Sequence, residues 1–282
     1  MDEDDRGRRP RPDARAASGS GRPSRPGRPR AGGGSRPGRP RAAGGAGSGR
    51  SRSDTSPSRS PRREEPALPD EVTASQLDSQ VRAELSALAA PNAEAVARHL
   101  VMAGRLIDED PEAALAHANA ARQRAGRIGA VREAAGLTAY AAGKFAEALA
   151  ELRSARRITG DQSLLPVMAD CERGLGRPEK ALELAAGPEV ERLDAAGRVE
   201  LLIVMSGARR DMGQPAAAAL LLQGPELRPE RRKPWSARLF YAYADALLEC
   251  SRRDEARTWF QHAAEADAAG ETDAEERFAE LD

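Results

Sequence analysis

Residues 2–66 contain no Val, Ile, Leu, Phe, Tyr or Trp, and the first large apolar side chain is Leu68. Ordering the backbone costs roughly 1–2 kcal/mol per residue, and a segment with nothing to bury cannot offset that cost. Residues 1–68 are therefore expected to be a disordered tail, with the folding part confined to 72–282. Cysteine is nearly absent. Cys171 and Cys250 stand far apart with no CxxC, which excludes a disulfide framework or zinc site and suits a reducing cytosol. The longest apolar run, Leu201 to Met205, is far too short to cross a membrane. Met1-Asp2-Glu3-Asp4-Asp5 is not the start of a secretory signal, so a cytoplasmic protein with no membrane contact is expected.

Catalytic patterns are lacking too. The three histidines, His99, His117 and His262, fall on three different predicted helices, with no HExxH and no Cys or Ser at a recognised spacing. No GxxxxGK[ST] occurs, and the glycine-rich stretch 31–49 does not join a strand to a helix. No catalytic, cofactor-binding or metal-binding set can be assembled. The reading is of a protein that is not an enzyme and carries no cofactor.

The charge that is present is unevenly placed. Residues 1–66 hold 17 Arg, no Lys and 8 acids, so they carry +9 and residues 67–282 carry −9. The sequence Arg-Pro-Gly-Arg-Pro-Arg occurs at 25–30 and again at 36–41. Arg22, Arg25, Arg28, Arg30, Arg36, Arg39 and Arg41 are candidates to contact phosphates of RNA or a ribosome, since a guanidinium offers forked donors and stacks on bases. No aromatics interleave with them, as a single-strand platform would require. A solubilising tail and docking on acidic protein surfaces are the other readings. A second basic patch, Arg228, Arg231, Arg232 and Lys233, reads as a solvated connector before a helix at Pro234-Trp235.

From residue 110 on, one pattern recurs: a Gly or acidic turn, then a helix opening that ends in Ala-Leu or a weaker equivalent. Its reference alanines are Ala114, Ala148, Ala181, Ala218 and Ala256, separated by 34, 33, 37 and 38 residues. That period is the mark of stacked helix pairs. Asp110 with Pro111, Pro178 and Pro215 suit helix starts. Gly126, Gly160, Gly187 and Gly270 are placed at helix ends that call for left-handed backbone. Ser75 and Asp78 predict a capped helix over 75–89 with Leu77, Val81, Leu85 and Leu88 on one face. Thr272-Asp273-Ala274-Glu275 predicts a capping box for a solvating terminal helix. No convincing strand pattern exists. The fold class is all-α.

Gly136, twelve residues before Ala148, and Ala155, seven after it, match the small positions where the two helices of a tetratricopeptide unit cross. With Leu68-Pro69-Asp70-Glu71-Val72 and Ala169-Asp170-Cys171-Glu172-Arg173-Gly174-Leu175-Gly176-Arg177, the chain resembles a group of actinobacterial tetratricopeptide repeat (TPR) proteins of unassigned function. Its 41 Arg against 3 Lys fit a high-GC genome. It departs from the family pattern at the Trp and Tyr positions, mostly Ala or Arg here. The resemblance implies a TPR-like α-α superhelix of about five helix pairs, with a concave face lined by the first helix of each pair. Tyr140, Asp170, Arg173, Arg210, Arg238, Tyr241 and Asp245 are placed there by spacing. Their mixed charge points to a polar peptide or protein partner held by a non-catalytic scaffold. RNA or ribosome contact through the arginine tail is the alternative.

Overall fold

Five alanines fix the packing. Ala114, Ala148, Ala181, Ala218 and Ala256, the reference positions of the repeat, are all completely buried. Each sits on the second helix of a pair, wholly enclosed by its neighbours, so that a larger side chain there would require the surrounding packing to shift.

The computed structural model describes residues 65–281, which belong to a compact unit spanning Ser60–Asp282. The disorder expected of the arginine tail falls outside the described residues, except for the tail's last four. Glu65 lies against Arg124, and the Leu68 and Pro69 carbonyls accept from Arg98 Nη2 at 3.4 and 2.7 Å. The chain is thus engaged before residue 72.

The described residues are all-helical, with no strand. The α-helices are α1 (Ser79–Leu85), α2 (Ala90–Leu106), α3 (Pro111–Ala125), α4 (Gly129–Ala141), α5 (Phe145–Thr159) and α6 (Leu165–Gly174). They continue with α7 (Pro178–Ala185), α8 (Ala195–Asp211), α9 (Pro215–Leu222), α10 (Ser236–Glu249), α11 (Arg253–Ala266) and α12 (Ala274–Glu280). Each of α2 to α12 packs on its predecessor. In addition α2, α4, α6, α8 and α10 each touch the next member of that set, forming one layer. The helices α3, α5, α7 and α9 bridge consecutive members of that layer on its other side. None of the twelve is long and apolar enough to cross a membrane.

The turns within pairs repeat one geometry. Gly143, Gly176 and Gly213 each have φ +69°, and the following residue donates its backbone N–H five residues back: Lys144 to Ala139, Arg177 to Glu172, Gln214 to Arg209. This is a Schellman closure, which needs left-handed backbone at its C′ position. The last copy makes the same closure without glycine: Ser251 adopts φ +61° and Arg252 donates to Leu247. Of the helix-end glycines expected to be left-handed, Gly160 and Gly270 are, at φ +73° and +68°. Gly126 and Gly187 are not, at φ −66° and −71°, because ordinary backbone leads from them directly into the next element.

The starts agree with the sequence at α3, where Asp110 accepts from Ala113 N–H at 3.0 Å and Pro111 opens the helix. Pro178 and Pro215 open α7 and α9. Two expectations are corrected. The 75–89 helix is shorter: Thr73 and Gln76 make the capping box of a single 3-10 turn (Ala74–Gln76), and Asp78 then caps α1 by accepting from Gln80 N–H at 2.7 Å. Leu77, Val81, Leu85 and Leu88 still pack together against α2. At the other end, Thr272 donates its hydroxyl to Asp267 and caps nothing.

At the crossing of α4 and α5, a Cβ on Gly136 would lie 2.6 Å from Leu152 Cγ, and Ala155 is fully buried beside it. Only Gly fits there. The core changes along the array. Its α10–α12 end holds edge-to-face contacts of Trp259 with Phe240 and Tyr243 and of Phe260 with Tyr241, centroids 5.0 to 5.4 Å apart. The α2–α4 end is built from Ala, Val and Leu.

Candidate functional site

The seven residues placed by spacing on the first helix of each pair come together on the α4–α6–α8–α10 layer. Tyr140 on α4 donates its hydroxyl to Asp170 Oδ2 on α6 at 2.5 Å. Arg173, one turn on, bonds Asp170 at 2.5 Å and crosses to Asp211 on α8 at 2.8 Å. Arg210, beside Asp211, crosses to Asp245 and Glu249 on α10 at 3.2 and 2.8 Å. Arg238, a helical turn into α10 and more exposed, bonds Glu200 on α8 and Glu271 in the α11–α12 loop. Tyr241 and Asp245 accept from Arg277 on α12 at 3.1 and 3.0 Å.

These contacts have a register. The residue eight before the reference alanine (Tyr140, Arg173, Arg210) reaches the residue eleven before, or seven before, the next reference alanine (Asp170; Asp211; Asp245 and Glu249). At Gly207, the one step whose eleven-before residue lacks a side chain, the Arg173 guanidinium lies over the helix instead. A Cβ there would sit 2.7 Å from Arg173 Cζ. The polar face is therefore a ladder of links between successive pairs, rather than a row of free charges.

Two clefts open along it and share Arg173. One, of about 660 Å³, is bounded by Phe145, Asp170, Gly176, Pro178 and Asp211. The other, of about 450 Å³, is bounded by Ile203, Ser206, Arg210, Arg238, Tyr241 and Asp245. Ser206 is buried, and its Oγ has no hydrogen-bond partner among the described residues.

Burial and hydrogen bonding hold the two tyrosines, Arg173 and Arg210 in their protonated forms. Burial, then the bond to Asp170, raises the Tyr140 hydroxyl, so it stays a donor. Burial raises Tyr241 to about 12, helped by hydrogen bonding to Asp273. Burial works against the Arg173 and Arg210 guanidinium ions, but bonds to Asp211 and Glu249 outweigh it and raise both. Cys171, buried behind Asp170, has its thiol pushed up to about 12 by burial and by the Asp170 and Glu172 charges. A thiol so held is not a nucleophile near neutral pH. Cys250 is half-buried, and both cysteines are free.

The partners of the seven went unseen in the sequence reading: Asp211, Glu249, Glu200, Glu271 and Arg277. The first two could have been found, because each follows the eight-before position of its own repeat. Arg277 turns inward, so α12 is not purely the solvating helix expected. Another pair was missed. His99 on α2 and His117 on α3 are buried with their Nδ1 atoms 3.0 Å apart, so one donates and the other accepts. Burial, then His117, lowers His99 to about 4, and burial lowers His117 as well. His262 stacks edge-on against Trp259. Among the described residues no three His, Cys, Asp or Glu side chains are grouped to hold a metal ion.

Arg22, Arg25, Arg28, Arg30, Arg36, Arg39 and Arg41 lie outside the described residues. The connector residues Arg228, Arg231, Arg232 and Lys233 are exposed, and Arg232 is tied to Glu265. No protein-family model matches the chain. No curated protein matches it either.

Proposed function

We propose that the helical part is a TPR-like α-α superhelix acting as a non-catalytic, cytoplasmic scaffold that binds a protein or peptide segment along the α4–α6–α8–α10 face. One observation carries this reading: seven residues chosen by repeat spacing gather on one face, where six of them line two clefts that share Arg173 and the seventh, Tyr140, bonds to Asp170. Alternating guanidinium and carboxylate groups suit a polar segment, whose own charges and backbone can exchange with the ladder's links. Tyr140 and Cys171, both held protonated, offer no base or nucleophile on this face.

A second reading rests on the 17 Arg of residues 1–66, an RNA- or ribosome-associated factor whose arginine tail contacts phosphates. One experiment separates the two. The tagged full chain and its Arg173→Glu/Arg210→Glu variant are used to capture partners, with and without ribonuclease. Under the scaffold reading the variant loses partners that ribonuclease leaves in place. Partners retained equally by the variant and released by ribonuclease would establish the RNA reading instead.

A further inference from the structure

At the α2–α4 end of the same layer the face is different. A cleft of about 250 Å³ is walled by Leu77, Val81, Leu100, Ile107 and Leu137, with Gly104 and Glu133 at its edge. Nothing polar repeats here. Leu137 stands eleven residues before Ala148, the position Asp170 and Asp245 take in their own repeats.

Two residues make this cleft more than a gap in packing. Gly104 lies within α2, where glycine costs roughly 0.5–1 kcal/mol relative to alanine. It is exposed, its φ is not left-handed, and a Cβ built on it meets no atom within 4 Å. Neither turn geometry nor a close helix crossing accounts for it. Its missing side chain leaves the cleft open.

Glu133 is the second. It is half-buried beside these apolar walls and pairs with no cation among the described residues, and the charged groups acting on it are the acids Asp161 and Glu84. Along the polar ladder every arginine on the face is paired with a carboxylate; here no described residue supplies a cation to the carboxylate. Burial raises its carboxyl, and the two acids add to the effect.

We propose that this cleft seats one bulky apolar side chain of a partner protein segment, over Gly104, with an adjacent Lys or Arg of that segment pairing Glu133. The volume is below the roughly 300–1,000 Å³ of a small-molecule pocket and suits a single anchor side chain. The anchor belongs to another molecule, since residues 2–66 contain no Val, Ile, Leu, Phe, Tyr or Trp. The inference deepens the scaffold reading and rests on it, giving the partner an apolar–basic anchor at one end and a polar stretch along the ladder.

The test uses random twelve-residue peptides displayed on phage and selected on the full chain. Selected sequences are expected to pair a Leu, Ile, Phe or Trp with a neighbouring Lys or Arg. Synthetic copies should bind Gly104→Leu at least tenfold more weakly, while that variant melts no lower than the parent, because the new side chain enters open space. Glu133→Gln should weaken binding severalfold, and selection on Glu133→Arg should shift the neighbouring residue to an acid. Selected peptides that bind Gly104→Leu normally but lose affinity for Arg210→Glu would overturn the cleft and leave the polar-face reading standing. Peptides indifferent to both variants, or no peptides at all, would overturn both. Self-association of the full chain that Gly104→Leu abolishes would make a second copy the occupant and overturn the proposal.

Discussion

Helices α4 and α10 present the same positions of the repeat to the same layer, yet with opposite chemistry. Counted back from Ala148 and Ala256, Ala130, Glu133, Ala134 and Leu137 stand where Arg238, Tyr241, Ala242 and Asp245 do. The first set edges an apolar cleft and the second a charged one. Both helices keep the same fully buried alanines on their partners and the same left-handed turn. The backbone solution is thus separable from the face it presents. In a repeat array, where each unit contacts chiefly its neighbours, one end can be re-surfaced without disturbing the other.

The largest effect expected from this contrast is at low pH. The His99–His117 pair belongs to the α2–α3 end alone. With His99 held near 4 against an ordinary 6.5, the unfolded chain binds a proton that the folded chain refuses between those values. Its contribution is complete above about 6.5 and is lost as pH falls towards 4. Between pH 7 and pH 5 the urea unfolding free energy should drop by about 2 kcal/mol. Amide exchange should quicken first in α2 and α3. A His99→Gln/His117→Gln chain that kept the same slope would show that the pair does not confer it.

A smaller effect is expected from converting one end to the other. Asp245→Leu gives α10 the residue α4 has, and removes an acceptor shared by Arg210 and Arg277. A loss of about 1–2 kcal/mol in chemical unfolding is expected, since these half-buried links are stronger than fully exposed ion pairs. The loss should shrink in high salt. An unchanged midpoint would mean that the ladder organises the face without stabilising it.

The smallest effect tests the turn that both ends share. Ser251 is held at φ +61° where the other copies have glycine, a conformation costing an L-residue roughly 1 kcal/mol. Ser251→Gly should raise the unfolding free energy by about that amount, and Gly213→Ala should lower it similarly. Differential scanning calorimetry would resolve both; equal and negligible shifts would mean the turn tolerates any side chain.

Much of this was legible. The period of the reference alanines gave the helix pairs, because a fully buried alanine recurs as the pairs do. Gly136, Pro111, Pro178 and Pro215 were readable for the same local reasons. The links of the charged face between helices were not, since Arg173 and Arg210 reach Asp211 and Glu249 38 and 39 residues further on, in another repeat. Spacing within one helix says which side a residue takes, and cannot say what the next helix brings to it. His99 and His117 escaped likewise: each is unremarkable on its own helix, and only the packing of α2 on α3 joins them. The Gly126 and Gly187 expectations failed because a glycine after a helix permits left-handed backbone without requiring it.

Arg98 reaches from α2 to hold the carbonyls of Leu68 and Pro69, residues in front of the first helix. That grip has a practical meaning for anyone dissecting the molecule. A shortened chain that begins at the first predicted helical residue would strip two acceptors from a guanidinium whose Nε is already buried and has no partner among the described residues. It would also cut beside Val72, which is almost fully buried. A clean separation of tail from body therefore falls upstream of Glu65, inside the stretch that composition alone assigns to the tail.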